Sequence, residues 1–205
     1  TNAVNLIDGL DGLAVGVSSI AAITMLAVAL LTDNMAIAIT MAALTGACIG
    51  FMPYNLNPAK IFMGDTGSTF LGYMLATVSI MGLFKFYAVI SFAVPFLILG
   101  LPIFDTANAI IRRLAEGRSP MSPDRGHVHH KLIDMGFNQK QAVAILYAIS
   151  ATLGLTAVVL TSSGEVKAVV LLAAVLAAIL VGACIIYGAE HWGKHPQEQK
   201  KHKNE

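Results

Sequence analysis

The chain has 205 residues, of which 56% are apolar and only 12% charged, and its mean hydropathy is +0.72. Soluble chains carry roughly 45–50% apolar and about 25% charged residues, so the composition excludes a water-soluble domain and points to an integral membrane protein. The net charge of +1 gives no basis for nucleic-acid binding, and Cys48 and Cys184 lie inside apolar runs, which argues against a disulfide framework or a thiolate metal site.

The chain opens on a polar motif with neither an initiator Met nor a charged segment leading into an apolar one, as expected of a piece of a longer protein. In that motif Asn2, Asn5, Asp8 and Asp11 recur every three residues. On a helix this spacing lines two carboxamides and two carboxylates along one stripe leading into a membrane span. Gly9 and Gly12 weaken such a helix and allow a ligand or a neighbouring backbone to approach closely.

Six apolar stretches approach the ~20 residues needed to cross ~30 Å of hydrocarbon. They run over Leu13–Leu31, Met35–Phe51, Ser68–Phe84, Tyr87–Phe104, Ala142–Leu160 and Val166–Tyr187. Barrel-type alternation is absent, so the spans are expected to be helices that satisfy their own backbone hydrogen bonds. The sequence thus predicts an all-α, polytopic integral membrane protein with about six transmembrane helices and catalytic loops at one face. Residues 1–190 would form the transmembrane domain and residues 191–205 a polar, disordered tail. Asp33-Asn34 and Thr161–Gly164 are the predicted tight turns, Pro53 is expected to close the second span, and Pro95 and Pro102 to bend the fourth.

Six spans place Lys60, Arg112, Arg113, Arg118, Arg125, Lys131, Lys140, Lys194, Lys200, Lys201 and Lys203 on one side, and Lys85 and Lys167 on the other. The asymmetry assigns the first side, with the C-terminus, to the cytoplasm.

Two further polar clusters fall on that side. In Asn57–Ser68, Gly64, Gly67 and Ser68 surround Asp65 just before a span. Gly-rich turns and helix N-termini present backbone N–H groups to phosphate. One carboxylate there suits Mg²⁺, which takes one or two carboxylates together with phosphate oxygens and water. In Ser119–His130 three histidines fall within four residues beside Arg125 and Lys131. With no cysteine nearby and no carboxylate at ligand spacing, the imidazoles suit an anionic substrate better than zinc. Asp105 is expected to cap a helix over 106–115 that sets Arg112 and Arg113 near lipid phosphates. Carboxylates, a Gly-rich turn, His and Arg at one membrane surface suit metal-assisted phosphoryl transfer to a lipid-borne phosphate.

At these residues the sequence resembles the polyprenyl-phosphate N-acetylhexosamine-1-phosphate transferases (glycosyltransferase family 4). Asn5–Leu13 (NLIDGLDGL), Phe62–Ser68 (FMGDTGS) and His127–His130 (HVHH) look like the family's signatures, in family order, and the similarity covers about residues 1–160. The resemblance implies transfer of N-acetylglucosamine-1-phosphate from UDP-GlcNAc to undecaprenyl phosphate, with release of UMP and initiation of a cell-envelope glycan such as teichoic acid or O-antigen. It implies Mg²⁺ as cofactor, with Mn²⁺ as a substitute, and Asp65 as its ligand. Asp8, Asp65 and His129 are implied to be catalytic. Asn5, Asp11, Phe62, His127, His130 and Arg125 are implied to bind substrate, with Asp11 facing the uracil and Phe62 stacking on the base. The partners implied are a UDP-N-acetylhexosamine, polyprenyl phosphate and membrane lipid, with no nucleic acid; a homodimer is compatible. The implied location is the inner (plasma) membrane, multi-pass, with the site cytoplasmic.

The Ser-Pro-Asp-Arg-Gly-His-Val-His-His form is similar to the UDP-GlcNAc branch; the phospho-N-acetylmuramoyl-pentapeptide transferases are the alternative. Members have about ten or eleven spans and an Asp-Asp pair ahead of the first motif. This chain has no such pair and corresponds to the C-terminal part of the family fold. The readings of another class are a transporter, which would carry charges deep in its spans, and a non-catalytic membrane subunit.

Overall fold

A computed structural model of the chain describes residues 1–82, 88–120, 122 and 126–162. The described residues are helical or in turns, and three helices are long and apolar enough to cross a membrane: α2 (Leu13–Leu31), α3 (Met35–Asn55) and α8 (Gln139–Ser162). With them stand α1 (Asn2–Leu6), α4 (Gly64–Gly82), α5 (Ala88–Ile98), α6 (Gly100–Ala115) and α7 (Val128–Asp134). This is an all-α membrane protein. The sixth predicted span, the 190/191 boundary, the tail, Lys85, Lys167 and Arg125 lie outside the described residues.

Helix α2 is the central element, buried along most of its length and packed against α3 and α8. It has no polar face because helices surround it. Small residues let α8 approach closely, as expected where lipid tails replace water and packing holds helices together. The Tyr147 ring of α8 lies against Gly16 of α2, so that a β-carbon on Gly16 would stand 2.0 Å from ring atoms. Reciprocally, Thr24 of α2 fills the space beside Gly154 of α8. The Tyr147 hydroxyl then donates to the Gly12 carbonyl at the start of α2.

Four local expectations are revised. The stripe of Asn2, Asn5, Asp8 and Asp11 does not form, because α1 ends at Leu6 and turns occupy residues 7–12. Gly12 begins α2 with φ +80°, a backbone that Gly adopts at no steric cost. Pro53 does not close α3, which continues to Asn55, so the ring is accommodated within the last turn. The fourth predicted span is two helices rather than one bent helix: it breaks at Leu99, between Pro95 in α5 and Pro102 in the first turn of α6. Pro102 is tolerated there because an N–H in the first turn has no intrahelical partner. At the other end of α8, Thr161 and Ser162 belong to the helix rather than to a turn. Asp33 does turn the chain, with φ +54°, and Asn34 caps α3 by accepting from the Ile37 N–H.

The motif end of the bundle is closed by an apolar cluster of Ile7, Leu13, Ala14, Val17, Leu101, Val143 and Leu146. Val128 and Leu132 of α7 and Met63 of the 56–63 loop pack against it. Ile7 is 2% exposed; burying such a side chain contributes roughly 1.5–3 kcal/mol, which offsets the cost of ordering a segment with so little helix.

Gly16→Ala is expected to lower the melting temperature in detergent, with a cost of about 1–3 kcal/mol from overpacking. Tyr147→Ala in the same chain should recover part of the loss. An unchanged melting temperature for Gly16→Ala would contradict the packing described.

Candidate active site

The first motif is held in place by its own polar atoms. Asn5 Nδ2 donates to Asp65 Oδ1 at 3.0 Å and to Ser68 Oγ at 2.9 Å, which fastens the end of α1 to the first turns of α4. Ser68 is fully buried and returns its own hydroxyl proton to the Gly64 carbonyl at 3.0 Å. Six residues on, Asp11 Oδ2 accepts from Asn57 Nδ2 and from the Ala59 N–H, both at 3.0 Å. Asn57 also donates to Gln139 Oε1 of α8 at 2.9 Å. Buried Asn55 accepts from the Gly12 N–H at 3.2 Å and donates to the Ile61 carbonyl at 3.0 Å. The loop that carries Phe62 is thereby fixed to the C-terminal end of the 5–12 segment.

The third motif reaches the first through His129. Its ring lies so close to Gly9 that a β-carbon there would stand 2.4 Å from Nε2. His129 is 2% exposed, and neither ring nitrogen has a hydrogen-bond partner. His127 stacks on it at 5.7 Å between ring centroids with planes 12° apart, and His130 lies tilted at 4.2 Å. Burial, followed by the neighbouring imidazoles His130 and His127, pushes His129 down to about 4 against the opposing pull of Asp105. A neutral imidazole can donate from one nitrogen and accept at the other.

Next to Gly9, Asp8 is half-buried; burial first, and then the charge of Asp65, raise its carboxyl above the usual carboxylate range. A carboxyl raised in this way by burial and a neighbouring charge is one that a cation or a proton would stabilise. Asp65 is exposed in the first turn of α4, which begins at Gly64 with φ +63°. Phe62 is 76% exposed and stands on an apolar groove of about 250 Å³ whose lining includes Cys48, Phe51, Met63 and Phe70.

Asn5, Asp8, Asp65 and His129 therefore converge around residues 5–9, with His127 and His130 stacked behind His129. Asp11, in the turn before α2, is bonded to the adjoining 56–63 loop that carries Phe62, and Arg125 lies outside the described residues. Asp105 does not cap its own helix: it lies within α6, 3% exposed, and its carboxylate serves α7 instead. Oδ2 meets His127 Nδ1 at 2.8 Å, and Oδ1 accepts from the Val128 N–H at 2.8 Å. The two arginines of α6 are engaged within the protein. Arg113 is 6% exposed and donates to the Pro120 carbonyl, and the Arg112 guanidinium lies against Gly126. Asn55 and Tyr147 are site-building residues that sequence reasoning passed over, and Asn57 and Ser68, inside a recognised cluster, were assigned no partner. Single polar residues give no signal of a partner 40 or more residues away.

With this geometry in view, residues 1–83 match the family model described as glycosyl transferase family 4. The chain is 44% identical over 163 residues to a probable undecaprenyl-phosphate N-acetylglucosaminyl 1-phosphate transferase of Bacillus subtilis (strain 168), covering 80% of this chain and 46% of that protein. It is 40% identical over 168 residues to a decaprenyl-phosphate N-acetylglucosaminephosphotransferase of Mycolicibacterium smegmatis (71% and 41% of the two chains). It is 36% identical over 158 residues to a phospho-N-acetylmuramoyl-pentapeptide-transferase of Clostridium beijerinckii (75% and 45%). The chain spans less than half the length of each of these relatives.

The depressed His129 fixes a pH dependence. Above the ordinary histidine value of 6.5 the imidazole is neutral whether the chain is folded or not. Between 6.5 and about 4 only the unfolded chain takes the proton, so stability falls as the pH drops through that window. His129→Leu should flatten the pH dependence of thermal unfolding there, by up to ~3 kcal/mol at its lower end. Parallel curves for the variant and the parent would contradict a buried neutral His129.

Proposed function

The chain belongs to glycosyl transferase family 4, matched through residues 1–83, and from that membership we propose that the full-length protein transfers N-acetylglucosamine-1-phosphate from UDP-GlcNAc to undecaprenyl phosphate. In that reaction an oxygen of the lipid phosphate attacks the sugar-bearing phosphorus of the diphosphate. The bond to the UMP phosphate breaks, and UMP leaves with the electron pair. The product would start a cell-envelope glycan. The GlcNAc relatives are more similar to this chain than the muramoyl-pentapeptide relative is, which favours the GlcNAc donor.

The observation that carries this reading is the meeting of three stretches of chain around residues 5–9: Asn5 holds Asp65, the charge of Asp65 reaches Asp8, and His129 rests on Gly9. Phosphoryl transfer asks a protein mainly for positioning and charge stabilisation. The Asp8–Asp65 pair at the start of α4 fits Mg²⁺, with Mn²⁺ as a substitute, because such ions take one or two carboxylates together with phosphate oxygens. Bound there, the ion supplies charge neutralisation on the diphosphate.

The protein's own groups do the rest. Asn5 holds Asp65 in place through a hydrogen bond to Oδ1. The N–H groups that open α4 face anions with the positive end of the helix dipole. His129 and His130 present imidazole edges to the sugar diphosphate, and Arg125 neutralises it further. Asp11 uses Oδ2 within the protein, leaving Oδ1 for the uracil N3–H, while Phe62 offers a ring face to the base. The groove beneath Phe62 has an apolar lining suited to isoprenoid units. The Lys/Arg asymmetry of the sequence supports a cytoplasmic motif end at the inner membrane, on the side where nucleotide sugars are found.

In the full-length protein, Asp65→Asn is expected to lower turnover of UDP-GlcNAc and undecaprenyl phosphate by on the order of 10²-fold or more, while UMP affinity changes much less. Radiolabelled sugar appearing in the lipid fraction measures the first, and calorimetry the second. Near-normal turnover at saturating Mg²⁺ would contradict the assignment.

A further inference from the structure

Asp105 is the most completely engaged carboxylate among the described residues, and the transfer site described above assigns it no role. It is 3% exposed, and each oxygen has a separate task at 2.8 Å: Oδ2 on His127 Nδ1, and Oδ1 on the Val128 N–H. The second bond caps α7 from outside, since His127 stands at the N-cap of that helix and its side chain makes no capping bond. The first bond dictates a tautomer. A carboxylate that only accepts requires the proton on Nδ1, which leaves His127 Nε2 as the nitrogen without an N–H when the ring is neutral. Asp105 can reach both atoms because the break at Leu99 restarts the chain as α6, burying Pro102 and Leu101 in the core and bringing Asp105 to α7.

The consequence runs along the imidazole stack. His127 is parallel to His129, and His129 rests on Gly9 with no hydrogen bond to hold its ring. Its orientation is set by packing, among the His127 ring stacked on it, the tilted His130 ring and the Gly9 backbone. We propose that Asp105 is a positioning residue of the transfer site: by fixing the His127 tautomer and the start of α7, it sets the face that His129 presents beside Asp8. This proposal rests on the functional reading above for its effect on turnover, but not for its effect on the histidine.

The test uses the full-length protein in detergent or nanodiscs, with ¹⁵N-labelled histidine. The wild type should show His127 as the Nδ1–H tautomer. In Asp105→Asn, a carboxamide can still accept from Val128 while its NH₂ faces Nδ1, so His127 should change to the Nε2–H tautomer. Turnover should fall roughly 10–100-fold, the range seen when an outer partner of a site histidine is removed, with KM for UDP-GlcNAc within about threefold. His127→Asn keeps a donor toward Asp105, and in that background Asp105→Asn should cost no more than about twofold further. If Asp105→Asn does not fold, the wild-type tautomer and His127→Asn decide: His127 as Nε2–H, or full turnover in His127→Asn, overturns the proposal. Wild-type turnover in Asp105→Asn overturns it too. A wild type that transfers no sugar phosphate would sink the functional reading instead, leaving the tautomer to judge Asp105.

Discussion

Everything at the motif end of this protein depends on the contact between the Gly9 backbone and the His129 ring. The chain brings an imidazole within the distance that a β-carbon would need, so the two surfaces meet only if residue 9 has no side chain and α7 is held at one height. Both conditions are met by neighbours rather than by the contact itself. Ile7 and Leu10 anchor the segment in the apolar cluster, Val128 and Leu132 anchor α7 in the same cluster, and the Asn5–Asp65 and Asp11–Asn57 bonds tie the two ends of the 5–12 segment to α4 and to the 56–63 loop. A short, weakly helical segment thus becomes the common floor of a site drawn from three regions of sequence.

The electrostatics follow from that crowding. The charge of Asp65 reaches Asp8, and burial opposes charge on Asp8 and on His129: the carboxyl is pushed up and the imidazole down. A cation placed there would relieve the cost of the Asp8 carboxylate, and neutral His129 keeps one N–H to donate and one nitrogen to accept. A site poised in this way suits a divalent ion and a diphosphate arriving together, which links its geometry to phosphoryl transfer.

The class of the fold was legible in the sequence, and so was the grouping of several motif residues at one end of the bundle. Apolar runs located Leu13–Leu31 to the residue and the other described spans to within a few positions, because hydrocarbon thickness leaves little freedom in length. The motif residues Asn5, Asp8, Asp65 and His129 do converge. What could not be read were the relations set by tertiary contacts. Three-residue spacing suggested a helical stripe, but Gly9 and Gly12 gave the backbone an alternative, and side-chain bonds to α4 and the 56–63 loop stabilised the turns. Asp105 looked like a helix cap from its neighbours in sequence, yet its partners His127 and Val128 lie 22 and 23 residues away. Pro53 failed as a stop signal because a ring in the last turn removes only a bond near the frayed end.

The proposed function turns on whether Asp8 and Asp65 form one cation site that faces the diphosphate of the donor. Mn²⁺ bound to the full-length protein with UDP-GlcNAc reports on this directly, through the magnetic coupling of its unpaired electrons to the ³¹P nuclei. The account predicts strong ³¹P coupling in the wild type and its loss in Asp65→Asn. Mn²⁺ that binds equally well in both proteins, or that binds in the wild type without phosphorus coupling, would contradict it.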